Sequence, residues 1–332
     1  MQMRDFGRTG LKVSVLGFGC GAVGGLMVRG SAAEQEQALG TALDAGINYF
    51  DTAVLYGNGA SETNLGRAFK ALKPKGALVG TKVRLAVGER GRIEAAIRAS
   101  LEGSLKRLQM ERVDILYLHN PITMAGSGET LTPAEVLDQV APALARLKAE
   151  GKIGVAGLSA VGETPALHAA IHRGGFGAAQ VVYNLLNPSA ARALPAGYPG
   201  QDYGRLFERT SAAGTGVVGI RVMAGGALSG IAERHPIASP PPEPIGSAPS
   251  YDGDLVRAEA FRPLIAEGFA GSLAEAATRF AFSHPAMGTI LVGMASFEQF
   301  QASLDAVRKG PLPPAALDLV ARLQQGLAAP PR

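Results

Sequence analysis

The chain has 332 residues, 47% of them hydrophobic and 18% charged, which allows a sizeable core and argues against disorder. Net charge is +4 with no long basic run, so neither a nucleic-acid nor a membrane partner is expected. A single cysteine, Cys20, excludes an intramolecular disulfide, and no run of about 18 apolar residues offers a membrane span. The opening MQMRDFGRTG has no apolar leader segment, and the expectation is a cytoplasmic protein.

In chain order, Met3 to Val13 reads as a small hairpin about the turn Gly7–Gly10. Val13–Phe18 is the first apolar run. It ends in a glycine cluster, Gly19–Gly25, read as a flexible loop on the floor of a pocket. A helix over Ala33–Ala45 stops at Gly46, and the strand Ile47–Phe50 follows. Ser61 reads as the N-cap of a helix running to Leu72. Next come a strand over Ala77–Val83, an amphipathic helix over Arg92–Leu108 and a strand over Val113–Leu118. Thr132 and Pro133 open a helix that reaches Glu150 and stops at Gly151. The strands Ile153–Leu158, Ala179–Tyr183 and Gly216–Val222 alternate with helices over Pro165–Arg173 and Gly204–Ala213. Leu255–Gly268 and Ser272–Ser283 read as helical. The last strand is Thr289–Val292, then a helix over Phe297–Arg308 and a final one from Pro314 to Leu327.

Eight strand-then-helix units imply a parallel sheet with crossover helices, and eight is the number that closes a (β/α)8 barrel. The expected architecture is therefore one α/β barrel domain over residues 1–332, with an N-terminal β-hairpin and extra C-terminal helices. A Pro- and Gly-rich stretch, Gly225–Gly253, follows the seventh strand and reads as a lid rather than a slack insertion.

Chemistry in such a barrel sits at the C-terminal ends of the strands. Asp51, Lys82 and His119 end the second, third and fourth strands, and Tyr56 lies just after the second. Neighbouring strands run about 4.8 Å apart, so these ends converge on one small volume. Singly, Asp51 reads as a loop cap, Tyr56 as a core phenol and Lys82 as a surface cation. Together they read as a proton-transfer device. A carbonyl reduced by hydride needs a proton on its oxygen. A phenol keeps its proton at neutral pH, a nearby ammonium eases its release, and a carboxylate keeps that ammonium charged. His119 is placed to steer and polarise the carbonyl oxygen. The other histidines, His168, His172, His235 and His284, read as structural, and no Cys/His cluster calls for a metal.

DTAVLYG, the lysine of GTKV and LYLHN, together with FGRTGLKVSVLGFG, VAGLSA, QVVYNLL and TILVGMASFEQFQASLDAV, resemble the aldo-keto reductase superfamily over nearly the whole chain. The resemblance implies a (β/α)8 barrel that binds NAD(P)H in an extended pose without a Rossmann fold. It gives Tyr56 as the acid, Lys82 and Asp51 as its partners, and His119 as the residue that orients substrate. The string Gly19-x-Gly21-x-x-Gly24 imitates a dinucleotide fingerprint, but no helix opens at those glycines.

By the same resemblance Ser159 and Gln180 contact the nicotinamide amide. Ala160 stands where the family usually has Asn, and Ile220 where it usually has a stacking aromatic. Arg221 reads as a partner for the pyrophosphate, for an acidic substrate, or for a rim acid. Tyr183 and Asn184 are open between packing and function. The adenosine end is expected at Gly293–Ser303, with Gly293, Ser296, Gln299 and Ser303 as contacts. Gln299 stands where Arg is frequent, and Ala302-Ser303 replaces a Glu-Asn pair. NADP(H) is favoured on family grounds, with NAD(H) as the alternative.

The expected function is an NAD(P)(H)-dependent oxidoreductase that interconverts a carbonyl and an alcohol, acting on small aldehydes, ketones or sugars. Pocket walls are expected from Gly21–Leu26, Val54–Leu55, Asn120–Gly128 and Gly197–Tyr203. Two other readings are a nucleotide-binding redox sensor with little turnover and a Schiff-base lyase using Lys82. The oligomeric state stays open.

Overall fold

A two-stranded antiparallel hairpin, β1 (Met3–Asp5) and β2 (Lys12–Ser14), precedes a closed barrel of eight parallel strands in the computed structural model, which describes residues 1–328. The barrel strands are β3 (Leu16–Gly19), β4 (Tyr49–Asp51), β5 (Leu78–Val83) and β6 (Val113–Leu118), then β7 (Ile153–Ala160), β8 (Ala178–Val182), β9 (Gly216–Ile220) and β10 (Met287–Gly293). They pair in chain order, and β10 pairs with both β9 and β3 to close the ring.

Side-chain alternation along the strands makes two cores. One face of each strand packs against the surrounding helices. Phe50, for example, meets Phe69 of the following helix edge-on at 5.0 Å. The other face fills the barrel interior with Tyr49, Ile115, Tyr117, Val155, Ala178 and Val218. Phe6 and Val13 of the hairpin join this inner cluster and plug the N-terminal end. Gly216 and Gly288 make room there, since a Cβ on either would lie under 3 Å from the Phe6 ring.

Local signals explain most helix starts. Ser31, Thr132, Ser272 and Ser296 each accept a hydrogen bond from a first-turn N–H, and Glu135 returns the favour to Thr132 in a capping box. Ser61 departs from its expected role. The helix Ala60–Leu72 opens two residues earlier, after Gly59 in the left-handed region, and Ser61 is buried inside it. Its hydroxyl donates to the Cys20 carbonyl at 2.9 Å and pairs with Thr52 Oγ1 at 2.8 Å, tying the helix to the ends of β3 and β4.

Other boundaries shift for physical reasons. The Val13–Phe18 run divides between hairpin and barrel because Ser14 turns back on itself, its hydroxyl donating to Leu16 O at 2.7 Å. The helix from Pro133 widens to a π turn over Val136–Val140, just before Pro142, which has no N–H to donate. Directly after the glycine cluster a short helix, Leu26–Arg29, forms where no element was expected. The expected helix Leu255–Gly268 instead begins at Tyr251, capped by Ser250, and tightens over Glu259–Phe261. The Pro-rich stretch crosses to the loop after β3. Ser239 N–H donates to Val23 O at 2.9 Å, and Arg29 Nε donates to Ile237 O at 2.5 Å. No helix among the described residues is long and apolar enough to cross a membrane.

Gly80 of β5 lies opposite Asp51, and a Cβ there would sit 2.5 Å from the Tyr49 hydroxyl. Gly80→Ala is expected to cost about 1–3 kcal/mol through overpacking, read as a lowered melting temperature. Gly88→Ala, where nothing lies within 4 Å, is the control and should stay within about 0.5 kcal/mol of wild type.

Candidate active site

Inward-facing residues at the strand tops share one layer because side chains alternate with period two. Tyr49 and Asp51 face inward on β4, Gly80 and Lys82 on β5, and Tyr117 on β6, with His119 just beyond. Gly157 and Ser159 on β7, Gln180 on β8 and Ile220 on β9 continue the layer. Strand register places Lys82 beside Tyr117 and Ser159 beside Gln180.

Lys82 is completely enclosed and forms an ion pair with Asp51, which is 3% exposed. Its ammonium donates to Asp51 Oδ1 and to the Thr52 carbonyl at 2.8 Å. The other carboxylate oxygen, Oδ2, accepts from Gln180 Nε2 at 2.6 Å and from the Tyr49 hydroxyl at 3.0 Å. The Lys82 Nζ also lies 4.8 Å from the centre of the Tyr56 ring. The His119 ring stands edge-on to Tyr56, with centroids 6.0 Å apart. All four catalytic candidates therefore meet in one volume.

Burial acts on every charge here, and neighbours decide the balance. Burial pulls the Lys82 ammonium down, but Asp51 and then Tyr56 more than offset it, so its pKa is raised and it stays charged. Burial lifts the Tyr56 phenol above its ordinary value, while the Lys82 charge pulls the other way. The ammonium thus moderates the phenol without bringing it below 10, and Tyr56 holds its proton at neutral pH. His119 is held down at about 3 by burial, then by Lys82 and Arg84, so its imidazole is neutral. Its Nδ1 is buried with no partner.

The remaining expected contacts divide into two groups. Ser159 is 2% exposed, and its hydroxyl has no partner. Gln180 lies next to it but donates to Asp51. Ile220 is partly buried at the mouth of the inner core. Arg221 adopts a left-handed backbone, φ 56°, and its guanidinium has a long hydrogen bond to Glu243 O at 3.3 Å. Burial lowers its pKa, and Tyr56 is the first of the groups that oppose this.

At the far site, Ser296 accepts from Gln299 N at 3.3 Å as an N-cap, Gln299 Oε1 accepts from Ala295 N at 2.8 Å, and the Ser303 hydroxyl donates to Gln299 O. Gly293 is exposed at the end of β10. Glu34, from a helix 263 residues earlier, accepts from Phe297 N at 3.2 Å.

Two residues left open between packing and function, and one expected wall residue, have defined partners. Tyr183 packs, its ring stacked 4.9 Å from Phe280. Asn184 instead donates to Arg221 O at 2.8 Å and fixes that backbone. Asn120 is fully buried and clasps both the N–H and the carbonyl of Leu85, so it holds a loop rather than lining a wall. Sequence reasoning missed Tyr49 and Tyr117. Their signal was there, because Tyr49 lies two residues before Asp51 and Tyr117 two before His119, on the same faces.

Fluorine or nitrogen NMR on labelled histidine should show no titration of His119 between pH 5 and 8, because its proton is lost far below that window. A midpoint near 6.5 would contradict the enclosed geometry.

The profile of the Aldo/keto reductase family matches residues 15–324. Over 167 residues the chain is 40% identical to L-galactose dehydrogenase of Arabidopsis thaliana, covering 48% of this chain and 49% of that protein. Over 215 residues it is 34% identical to D-threo-aldose 1-dehydrogenase of a Pseudomonas species, covering 56% and 63%. A probable voltage-gated potassium channel subunit beta of Oryza sativa subsp. japonica is 35% identical over 136 residues, covering 40% and 41%. The chain thus spans about half the length of the curated relatives it matches. Among solved structures, a Bacillus halodurans aldo-keto reductase in its holo form superposes with a TM-score of 0.71 at 25% identity, covering 97% of this chain and 96% of that one. The chain belongs to the aldo/keto reductase family.

Proposed function

We propose that this chain is a single-domain NAD(P)(H)-dependent oxidoreductase that interconverts a carbonyl and an alcohol, with aldoses as its substrate class. The observation that carries this reading is the enclosed Lys82–Asp51 pair, with Tyr56 over the ammonium and His119 edge-on to the phenol. The aldose class rests on similarity to the two sugar dehydrogenases.

Tyr56 gives its proton to the substrate oxygen in reduction and takes it back in oxidation. Lys82 lowers the cost of the phenolate that forms, and Asp51 keeps Lys82 charged. His119, neutral, keeps one ring N–H to donate to the same oxygen and fix its position. The unpartnered Ser159 hydroxyl and the neighbouring Gln180 amide fit a carboxamide ligand, a nicotinamide in this reading. When bound, that group supplies or accepts the hydride. Arg221 is left with donors for an anionic part of cofactor or substrate. A Schiff-base role for Lys82 needs a neutral amine, and the raised pKa of Lys82 works against it.

The resemblance favours NADP(H), but the local chemistry favours NAD(H). The adenosine end is expected at the N-terminus of helix Phe297–Arg308. Glu34 already caps the Phe297 N–H there, and Glu298 is the charged residue of the first turn. A 2′-phosphate at that position would face carboxylates and no first-turn cation. Fluorescence titration with NADH and NADPH in parallel is expected to show tighter NADH binding. Glu34→Gln should narrow the gap by improving NADPH alone; equal preference for NADPH in the wild type would contradict this.

Tyr56→Phe should lower aldose oxidation by about 10²–10⁴-fold while nucleotide affinity is kept. Wild-type turnover in that variant would remove Tyr56 from the role. Nucleotide binding without turnover in the wild type would instead favour a redox-sensing regulator, the reading that goes with the channel-subunit similarity.

A further inference from the structure

We propose that Tyr49 and Tyr117 are positioning residues: a buried chain of hydroxyls, Tyr117 to Tyr49 to Asp51 Oδ2, anchors the Asp51 carboxylate beside Lys82 and so sets how readily Tyr56 exchanges its proton. This rests on the proton-exchange role proposed for Tyr56.

The chain has a fixed direction. An ionised carboxylate only accepts, so Tyr49 donates to Oδ2 across 3.0 Å. The single Tyr49 proton is then committed. In its 3.0 Å contact with Tyr117, the donor must be Tyr117. Both phenols are fully buried in the barrel interior. Both stay protonated, since burial, followed by the Asp51 charge, holds them well above the ordinary phenol range.

Packing alone does not account for these two hydroxyls. Phenylalanine would fill either place without burying a polar group. Gly80 on β5 gives up a side chain to the Tyr49 hydroxyl itself, whereas Gly17 and Gly157 clear room for rings that phenylalanine would share. A Cβ on Gly17 would lie 2.9 Å from the Tyr49 ring, one on Gly80 2.5 Å from the Tyr49 hydroxyl, and one on Gly157 2.5 Å from the Tyr117 ring.

The hydroxyl of Tyr49 shares Oδ2 with Gln180. Gln180 is also the residue expected to serve a cofactor amide. Whenever it turns to that ligand, Tyr49 is the donor that remains on Oδ2. The charged and titratable groups facing Tyr56 are Lys82, Asp51 and Cys20, with Arg221 acting on it as well and His119 edge-on. Of these, only Asp51 is touched by the hydroxyl chain. Losing the Tyr49 donor leaves the carboxylate charge less shielded and draws the Lys82 proton towards it. Both effects oppose a phenolate at Tyr56, so its pKa must rise.

Difluorotyrosine placed at position 56 reports its own ionisation by fluorine NMR, whether or not the protein turns over a substrate. In Tyr49→Phe its titration should move up by about one pH unit. In Tyr117→Phe it should move the same way but less. The double variant should match Tyr49→Phe, because Tyr117 acts only through Tyr49. An unmoved titration in a folded Tyr49→Phe protein, or shifts that add in the double variant, overturns the proposal. Should Tyr49→Phe fail to fold, an unmoved titration in folded Tyr117→Phe overturns it equally. Wild-type protein with no carbonyl or aldose turnover, yet with the expected shifts, would sink the proposed function and leave this chain standing. Turnover with unmoved titrations would do the reverse.

Discussion

An ammonium and a carboxylate sealed inside the barrel, Lys82 and Asp51, are the constraint on which the open end depends. Removing such ions from water costs several kcal/mol each, and only close pairing with every remaining lone pair engaged offsets it. Here the pair is in direct contact, and three donors converge on the carboxylate. Asp51 accepts from Lys82, Tyr49 and Gln180, and Lys82 also reaches the Thr52 carbonyl. Breaking the pair by removing one partner would strand the other in a dry interior. Both residues are therefore tied to stability as well as to chemistry. A charge held this firmly is also a fixed field for its neighbours. Tyr56 feels it as a counterweight to its own burial, and His119 feels it as one more reason to stay neutral.

The fold builds this pocket of charge from the bottom up. Alternation sends Phe50 outward to Phe69 while Tyr49 and Asp51 turn inward. The hairpin closes the lower end with Phe6. Strands β4 to β9 then contribute inward residues near their ends to one layer. That layer passes from the ion pair on β4 and β5, through His119, to the amide-binding types on β7 and β8. Such a layer brings the Tyr56 phenol and the His119 imidazole together beside the buried ion pair.

Much of this could be read from residue order. The strand Val113–Leu118 and the helix Phe297–Arg308 match their expected bounds, because apolar runs and caps are local properties. Asp51, Lys82 and His119 were legible because strand ends in a barrel share a rim. What escaped was set by distant partners. Ser61 looks like a cap, yet Cys20 and Thr52 claim its hydroxyl. Gln180 is bonded to Asp51 across the barrel, 129 residues away. Glu34 reaches the N-terminus of the last barrel helix from the other end of the chain. Tyr49 was hidden differently. In the run Ile47–Phe50 it counts as one more apolar residue, and only the spacing of two to Asp51 shows which face it shares.

The coupling between phenol and ammonium is tested most directly by titrating Tyr56, labelled as difluorotyrosine, in Lys82→Met. Loss of the ammonium removes the one charge that draws the phenol down most strongly, so the titration should move to higher pH than in the wild type. An unchanged or lower midpoint in the folded variant would contradict a phenol primed by Lys82.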